Sequence, residues 1–215
     1  MSTARTFEDV LNDPQPGEPV YRVAENYPRQ GKWTAEDFYE FEESFEGRVE
    51  LVDGRLEFLA MPKRRHQRLQ IRLAVILFGL AEATRAGEVL DNGVRIRLQD
   101  GTVRMPDLAF MKAERAAQQS EDCWDGADLV VEIVSPDQKS RERDYVEKRA
   151  DYAAASIPEY WVVDPDEESL TIFALEDGAT EYREHFRGGP GTTAASARIH
   201  GFEIDVTRLF ADDGA

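Results

Sequence analysis

A carboxylate interrupts the most apolar stretch of the sequence, Leu129-Val130-Val131-Glu132-Ile133-Val134. Such a run predicts a strand buried on both faces. A charged side chain there is costly unless it is paired or binds a metal. Two readings follow: a strand-end glutamate in a buried salt bridge, or a functional site. Asp107 follows Pro106 at the head of a second apolar segment, Leu108-Ala109-Phe110-Met111. Taken alone, Pro-Asp is turn chemistry. Two carboxylates on neighbouring strands would instead make a hard-oxygen site for Mg2+ or Mn2+, able to bind a phosphate and polarise a water. Glu50 lies in Val49-Glu50-Leu51-Val52, where the alternation of a half-exposed hairpin strand also accounts for it. Asp144, Lys148 and Tyr152 are spaced i, i+4, i+8 along one side of a helix. A lysine beside a metal site could orient the attacking water and offset charge developing on the phosphorane. The plainer reading is a surface Asp–Lys pair. Val146, Ala150, Ala153 and Ile157 form an apolar stripe nearly opposite Lys148, which favours a lysine facing solvent.

Phosphate chemistry needs positive charge near the site, yet the formal net charge is -17. That excludes a protein that coats nucleic acid through a generally basic surface. A local patch exists: Lys63, Arg64, Arg65, Arg68 and Arg72 fall within ten residues that contain no acid. His66 sits inside this cluster, where it could touch phosphate, support the site or be a surface residue. A contact with nucleic acid follows only if the acids form a site; otherwise the cluster is a solvated helix face. No Gly-rich phosphate loop, HExxH or GxSxG is present, and nothing marks Ser135 as a nucleophile. Paired acids could serve a glycosidase, but the three tryptophans form no sugar platform.

These residues need elements to hold them. The chain of 215 residues is enough for one domain with a sizeable core. Residues 1–32 are polar and rich in Pro, Gly and acids, and predict a loosely held extension; 33–212 would be the domain. Thr34 is a good N-cap for a helix carrying Phe38, Phe41 and Phe45. Asp53-Gly54 between alternating segments predicts a hairpin. A long amphipathic helix from about His66 to Ala86 would end at Gly87, and Val89–Leu98 reads as a strand. Asp100-Gly101 turns the chain into VRMPDLAFM, another strand. Residues 112–127 read as a loop with room for one helical turn, Lys139–Ala155 as a helix and EYWVVD as a strand. Asp164-Pro165-Asp166 leads to a further strand, SLTIFAL; 187–196 read as a loop, followed by a short strand near Phe202 and a short helix near Leu209. The order predicts an α/β fold, a mixed sheet with helices packed against it. The single cysteine, Cys123, excludes an internal disulfide and a thiolate zinc cluster. No apolar stretch spans a bilayer and the first residues lack a signal-peptide core, so the expectation is a cytoplasmic protein without membrane partners.

Taken in order, MPDLAF, DLVVEIVSPD, Asp144-x3-Lys148-x3-Tyr152 and IPEYWVVDP resemble the Uma-two (Uma2) family. That family comprises restriction-endonuclease-like proteins of the PD-(D/E)xK nuclease superfamily. VELVDGRL and the His66 that opens the long helix match as well, so the likeness runs from about 34 to 211. No single motif is specific; their order and spacing together are. The resemblance implies a restriction-endonuclease-like α/β core with a mixed central sheet flanked by helices. It implies metal-binding acids at Asp107 and Glu132, an additional acid at Glu50, and a cofactor of Mg2+ or Mn2+. Hydrolysis of DNA is the activity expected of such a site; Lys63, Arg64, Arg65, His66 and Arg68 are then the candidate nucleic-acid contacts, and a chain this small could act as a homodimer. The departure from the superfamily motif is at position 134, which is Val where a lysine is expected. The resemblance moves that lysine to Lys148 on the next helix, with Lys139 as the competitor. A non-catalytic nucleic-acid-binding or regulatory module on the same fold is the alternative reading.

Overall fold

The structure is a computed structural model, and it describes residues 28–41, 47–91 and 93–211. The first helix, α1 (Ala35–Phe41), begins as the sequence predicts. Thr34 and Asp37 cap it reciprocally: the Asp37 backbone N–H donates to Thr34 Oγ1 (3.1 Å), and the Thr34 N–H donates to Asp37 Oδ2 (2.9 Å). Phe38 and Phe41 are buried; Phe45 lies outside the described residues. The predicted hairpin forms from β1 (Arg48–Val52) and β2 (Arg55–Leu59), joined by Asp53-Gly54. Both turn residues have positive φ, 47° and 69°, as a tight two-residue hairpin requires. The predicted loose extension reaches into this region: the N–H groups of Gly31 and Trp33 both donate to Gly54 O.

A long helix α2 (Arg64–Thr84) follows. It stops two residues before the expected glycine, at Arg85, which takes the left-handed conformation. Gly87 instead opens β3 (Gly87–Asp91), where an added Cβ would lie 2.0 Å from Met111 O.

Two expected strands prove to be four. Val89–Leu98 divides into β3 and β4 (Ile96–Gln99), and the segment after Asp100-Gly101 divides into β5 (Thr102–Arg104) and β6 (Leu108–Lys112). Each time the chain changes sheets: at Gly93, whose φ of 130° only glycine adopts readily, and at Pro106. After a short helix α3 (Ala113–Ala116) and β7 (Trp124–Asp125) comes β8 (Leu129–Ile133), buried at every position. The helical crossover consists of α4 (Gln138–Glu142), a π-helical turn (Arg143–Glu147) and α5 (Lys148–Ala154). It delivers β9 (Glu159–Asp164) parallel to β8, and β10 (Ser169–Ala174) returns antiparallel. β11 (Arg183–Gly188) is an edge strand the sequence reading lacked, because its residues are charged and largely exposed. β12 (Thr193–Ala195), β13 (Glu203–Asp205) and α6 (Val206–Phe210) complete the described chain.

The strands form a five-stranded sheet, β2-β1-β5-β4-β7, and a six-stranded mixed sheet, β11-β10-β9-β8-β6-β3. One face of the larger sheet buries Phe110, Val131, Trp161 and Ile172 under Leu69, Leu73 and Leu77 of α2. The other face buries Val130, Tyr160 and Val162 with Tyr152 of α5. The smaller sheet packs Val49, Leu51 and Val103 on Phe38 and Phe41. Helices thus flank both faces of the larger sheet, and the smaller sheet meets the rest beside α5.

Candidate active site

The register of the larger sheet brings the two suspect acids together. Leu108 pairs with Val131, and one more step along this antiparallel ladder sets Asp107 across from Glu132. Both are buried, at 2% and 4% exposure. They line one narrow cleft with Arg48, His66, Arg143, Asp144 and Lys148, and the space open to a water-sized particle is about 20 Å3, room for one such particle.

Lys148 turns inward. It is 2% exposed, with its Nζ 2.7 Å from Glu132 Oε1 and 3.1 Å from Glu50 Oε1. The stripe expected to be the core face is split: Val146 is 56% exposed and Ala150 is exposed as well, whereas Ala153 and Ile157 are buried. The helical segment therefore also buries its polar side, since Asp144, Lys148 and Tyr152 are all buried. Tyr152 donates to Glu132 Oε1 at 2.8 Å. The π turn carries Asp144 directly ahead of Lys148, and such turns recur at functional sites. Lys139, the competing lysine, lies in α4 and is exposed.

Glu50 is fully buried and does not line the cleft. It accepts from Arg104 Nη1 (2.8 Å) and from the Met105 backbone N–H (3.0 Å). Arg104 in turn bonds Asp151 through Nε at 3.1 Å. Glu50 thus stands behind Lys148 and fixes it. Asp107 accepts from the Ile133 N–H at Oδ2 (2.8 Å), and His66 Nε2 lies 3.0 Å from its Oδ1. Arg48 approaches the same oxygen at 3.7 Å, and Gln70 donates to the Asp107 carbonyl. The opposite ring nitrogen of His66, Nδ1, is buried without a hydrogen-bond partner among the described residues.

The acids differ in protonation. Burial alone would raise Glu50, but the charges of Lys148 and Arg104 and the Met105 N–H hold it at about 2. Asp107 is likewise held low against burial, by the His66 contact, the Ile133 N–H and Arg48. Glu132 goes the other way, to about 7: burial and the charges of Asp107, Asp144 and Glu50 outweigh Lys148. Asp144 is raised, chiefly by burial. Burial works against the Lys148 charge, yet Glu132, Glu50 and Asp144 raise its pKa, so it stays protonated.

A family model described as "Putative restriction endonuclease", Uma2, matches residues 35–207. The chain belongs to the Uma2 family. No curated protein matches the chain significantly. Among solved structures, a "putative nuclease belonging to DUF820" from Anabaena variabilis ATCC 29413 is similar, with a TM-score of 0.63 over 80% of this chain and 96% of that one. At 15% identity that likeness concerns the fold alone, which is a nuclease-like one.

Within this Uma2 chain the sequence-derived candidates separate. Asp107, Glu132, Lys148 and His66 come together, and Glu50 lies immediately behind. Lys63 and Arg64 are exposed where α2 begins, and Arg65 is partly neutralised by Glu168 at 3.1 Å. Arg68 is exposed one turn further along, and Arg72 donates to Leu209 O in α6 and to Ala211 O just beyond it. Residues missed as site members are Arg48, Arg104 and Arg143. Arg104 had a signal, a charged residue in the apolar-alternating TVR segment, whereas Arg48 and Arg143 carry none.

The donor set suits a hard cation in an open shell. Glu132 Oε2 has no protein hydrogen bond among the described residues, and each Asp107 oxygen keeps a lone pair. Mg2+ commonly takes one or two carboxylates and fills its shell with water and phosphate oxygens. A closed cage is not formed: among the described residues no three His, Cys, Asp or Glu side chains are grouped to hold a metal by themselves.

Proposed function

We propose that this chain is a Mg2+- or Mn2+-dependent endonuclease that hydrolyses DNA phosphodiester bonds. The observation that carries the reading is the pairing of Asp107 with Glu132 across adjacent strands, in a cleft that also holds a protonated buried lysine. Asp107 and Glu132 would hold the cation, which when bound polarises the phosphate and the attacking water. Lys148 keeps its proton and so acts as a fixed cation, opposing negative charge that develops on the phosphate oxygens and orienting the water. It is a poor general base for the same reason. Glu50 and Arg104 position Lys148 without reaching the substrate. His66 fixes the Asp107 carboxylate from α2, as outer partners of metal ligands do. Lys63, Arg64 and Arg65, at the exposed start of α2, would meet the DNA backbone and supply affinity without sequence information.

The test is nicking of supercoiled plasmid with Mg2+ or Mn2+ and with the metal chelated, run beside RNA and single-stranded substrates. Wild type should cut only with metal, and Asp107→Asn and Glu132→Gln should each lower the rate by roughly 100-fold or more while remaining folded. Cutting that survives both substitutions, or that ignores chelation, would overturn the assignment.

The alternative is a non-catalytic nucleic-acid-binding module. One observation favours it: Glu132 Oε1 is already taken by Lys148 and Tyr152, and both Asp107 oxygens have protein partners. Metal-independent DNA binding with no cleavage, and no metal affinity even with DNA present, would select that reading.

A further inference from the structure

α2 is apolar on two sides. Its inner side packs Leu69, Leu73 and Leu77 on the larger sheet. A surface helix normally presents polar residues outward, yet here Ile71 is 64% exposed, Val75 69% and Phe78 53%. Their steps of four and three place them on a single stripe. Gly79 lies beside them in the helix interior, and a Cβ added there would meet nothing within 4 Å. Among the described residues no close neighbour requires that glycine, which weakens the helix relative to alanine. Arg68 and Glu82 bracket the stripe, seven residues to either side of Val75. Both are exposed, and neither has an ion-pair partner among the described residues.

We propose that this outer face of α2 is a homodimer interface, in which two copies pack antiparallel about a two-fold axis passing beside Val75. The face is self-complementary about that point, as a two-fold interface must be. Val75 meets its own copy. Arg68 faces Glu82 of the second copy, and Glu82 faces Arg68, so the axis generates two opposite-charge pairs. Ile71 falls against Gly79 of the second copy, where the missing side chain permits close approach. A parallel pairing would set Arg68 against Arg68 and Glu82 against Glu82, and the charges oppose it. His66 lies nine residues from Val75. The antiparallel pair therefore sets the two clefts toward opposite ends, about 27 Å apart along the helix axis. The inference does not depend on the catalytic reading.

Sedimentation or light scattering of the full chain over roughly 1 to 100 µM tests it. Wild type should reach a dimer mass within that range. Arg68→Glu and Glu82→Arg should each weaken association at least about 10-fold, and the double variant should recover it. Val75→Glu should abolish it. These side chains are exposed, so thermal unfolding should be close to wild type and a loss of dimer cannot be ascribed to misfolding. A monomer at every concentration, as when the chain's own N-terminal segment covers the stripe, overturns the proposal. So does a dimer indifferent to the single charge reversals, or one that the double variant fails to restore.

Discussion

Lys148 is held between two buried carboxylates, and removing it leaves Glu50 and Glu132 without their shared cation. Lys148→Met should destabilise the protein by about 3–5 kcal/mol at pH 8, in line with breaking a buried pair on one side. The loss should shrink near pH 5, where Glu132 takes up a proton; urea unfolding at the two pH values measures both. The wild-type acids act on stability with opposite signs. Glu50 is lowered to about 2 from an ordinary 4.5, so its contribution is full above about pH 4.5 and lost as pH falls toward 2. Glu132 is raised to about 7, so between about pH 4.5 and 7 the native chain holds a proton that the unfolded chain has released. Its contribution to stability therefore declines as pH rises through that window. Metal affinity should show the complementary trend, weakening as pH drops below about 7 because the proton competes for Glu132. Melting in chelator gives the first profile and titration calorimetry with Mn2+ the second; a flat affinity between pH 6 and 8 would remove Glu132 from the ligand set.

Elements show why some of this was legible in the sequence and some was not. The hairpin at Asp53-Gly54, the otherwise apolar β8 and the strand EYWVVD each depend on local residues, and each forms where the pattern places it. Glu132 stood out for the same reason, since it breaks a local pattern. The orientation of α5 is a different matter. Val146 and Ala150 are left outside because tertiary contacts with Glu50 and Glu132 hold the lysine inside, and those partners lie on other strands. A helical wheel contains no information about them. The two sheet changes, at Gly93 and Pro106, fall at interruptions of the pattern, but local residues do not say that the strands on either side join different sheets. Gly87 shows a close approach that no local rule reveals. Gly87→Ala would drive a methyl group into the Met111 carbonyl of the neighbouring strand, and should lower stability by about 2 kcal/mol. Gly79→Ala, with open space around it, should be neutral or stabilising in the monomer. Thermal unfolding of the two variants side by side checks the contrast.

Across the whole molecule, a polar junction ties the smaller sheet to α5. Arg104 of β5 bridges Glu50 of β1 and Asp151 of α5 while itself only 1% exposed. Arg104→Leu should cost about 3 kcal/mol or more, because Glu50 remains buried with Lys148 as its remaining cation; Asp151→Ala should cost less, since that carboxylate is partly exposed. Equilibrium urea unfolding distinguishes the two. The same long-range construction has a consequence for biosynthesis. Arg104 meets Glu50 across 54 residues of chain, and His66 meets Asp107 across 41. Such contacts close late in folding, after the entropy of the intervening chain has been overcome. A nascent chain emerging from the ribosome carries the acids on separate, unassembled pieces. The cleft therefore comes into being only when translation has passed α5 and both sheets have docked, so the proposed chemistry has no site until the fold is complete.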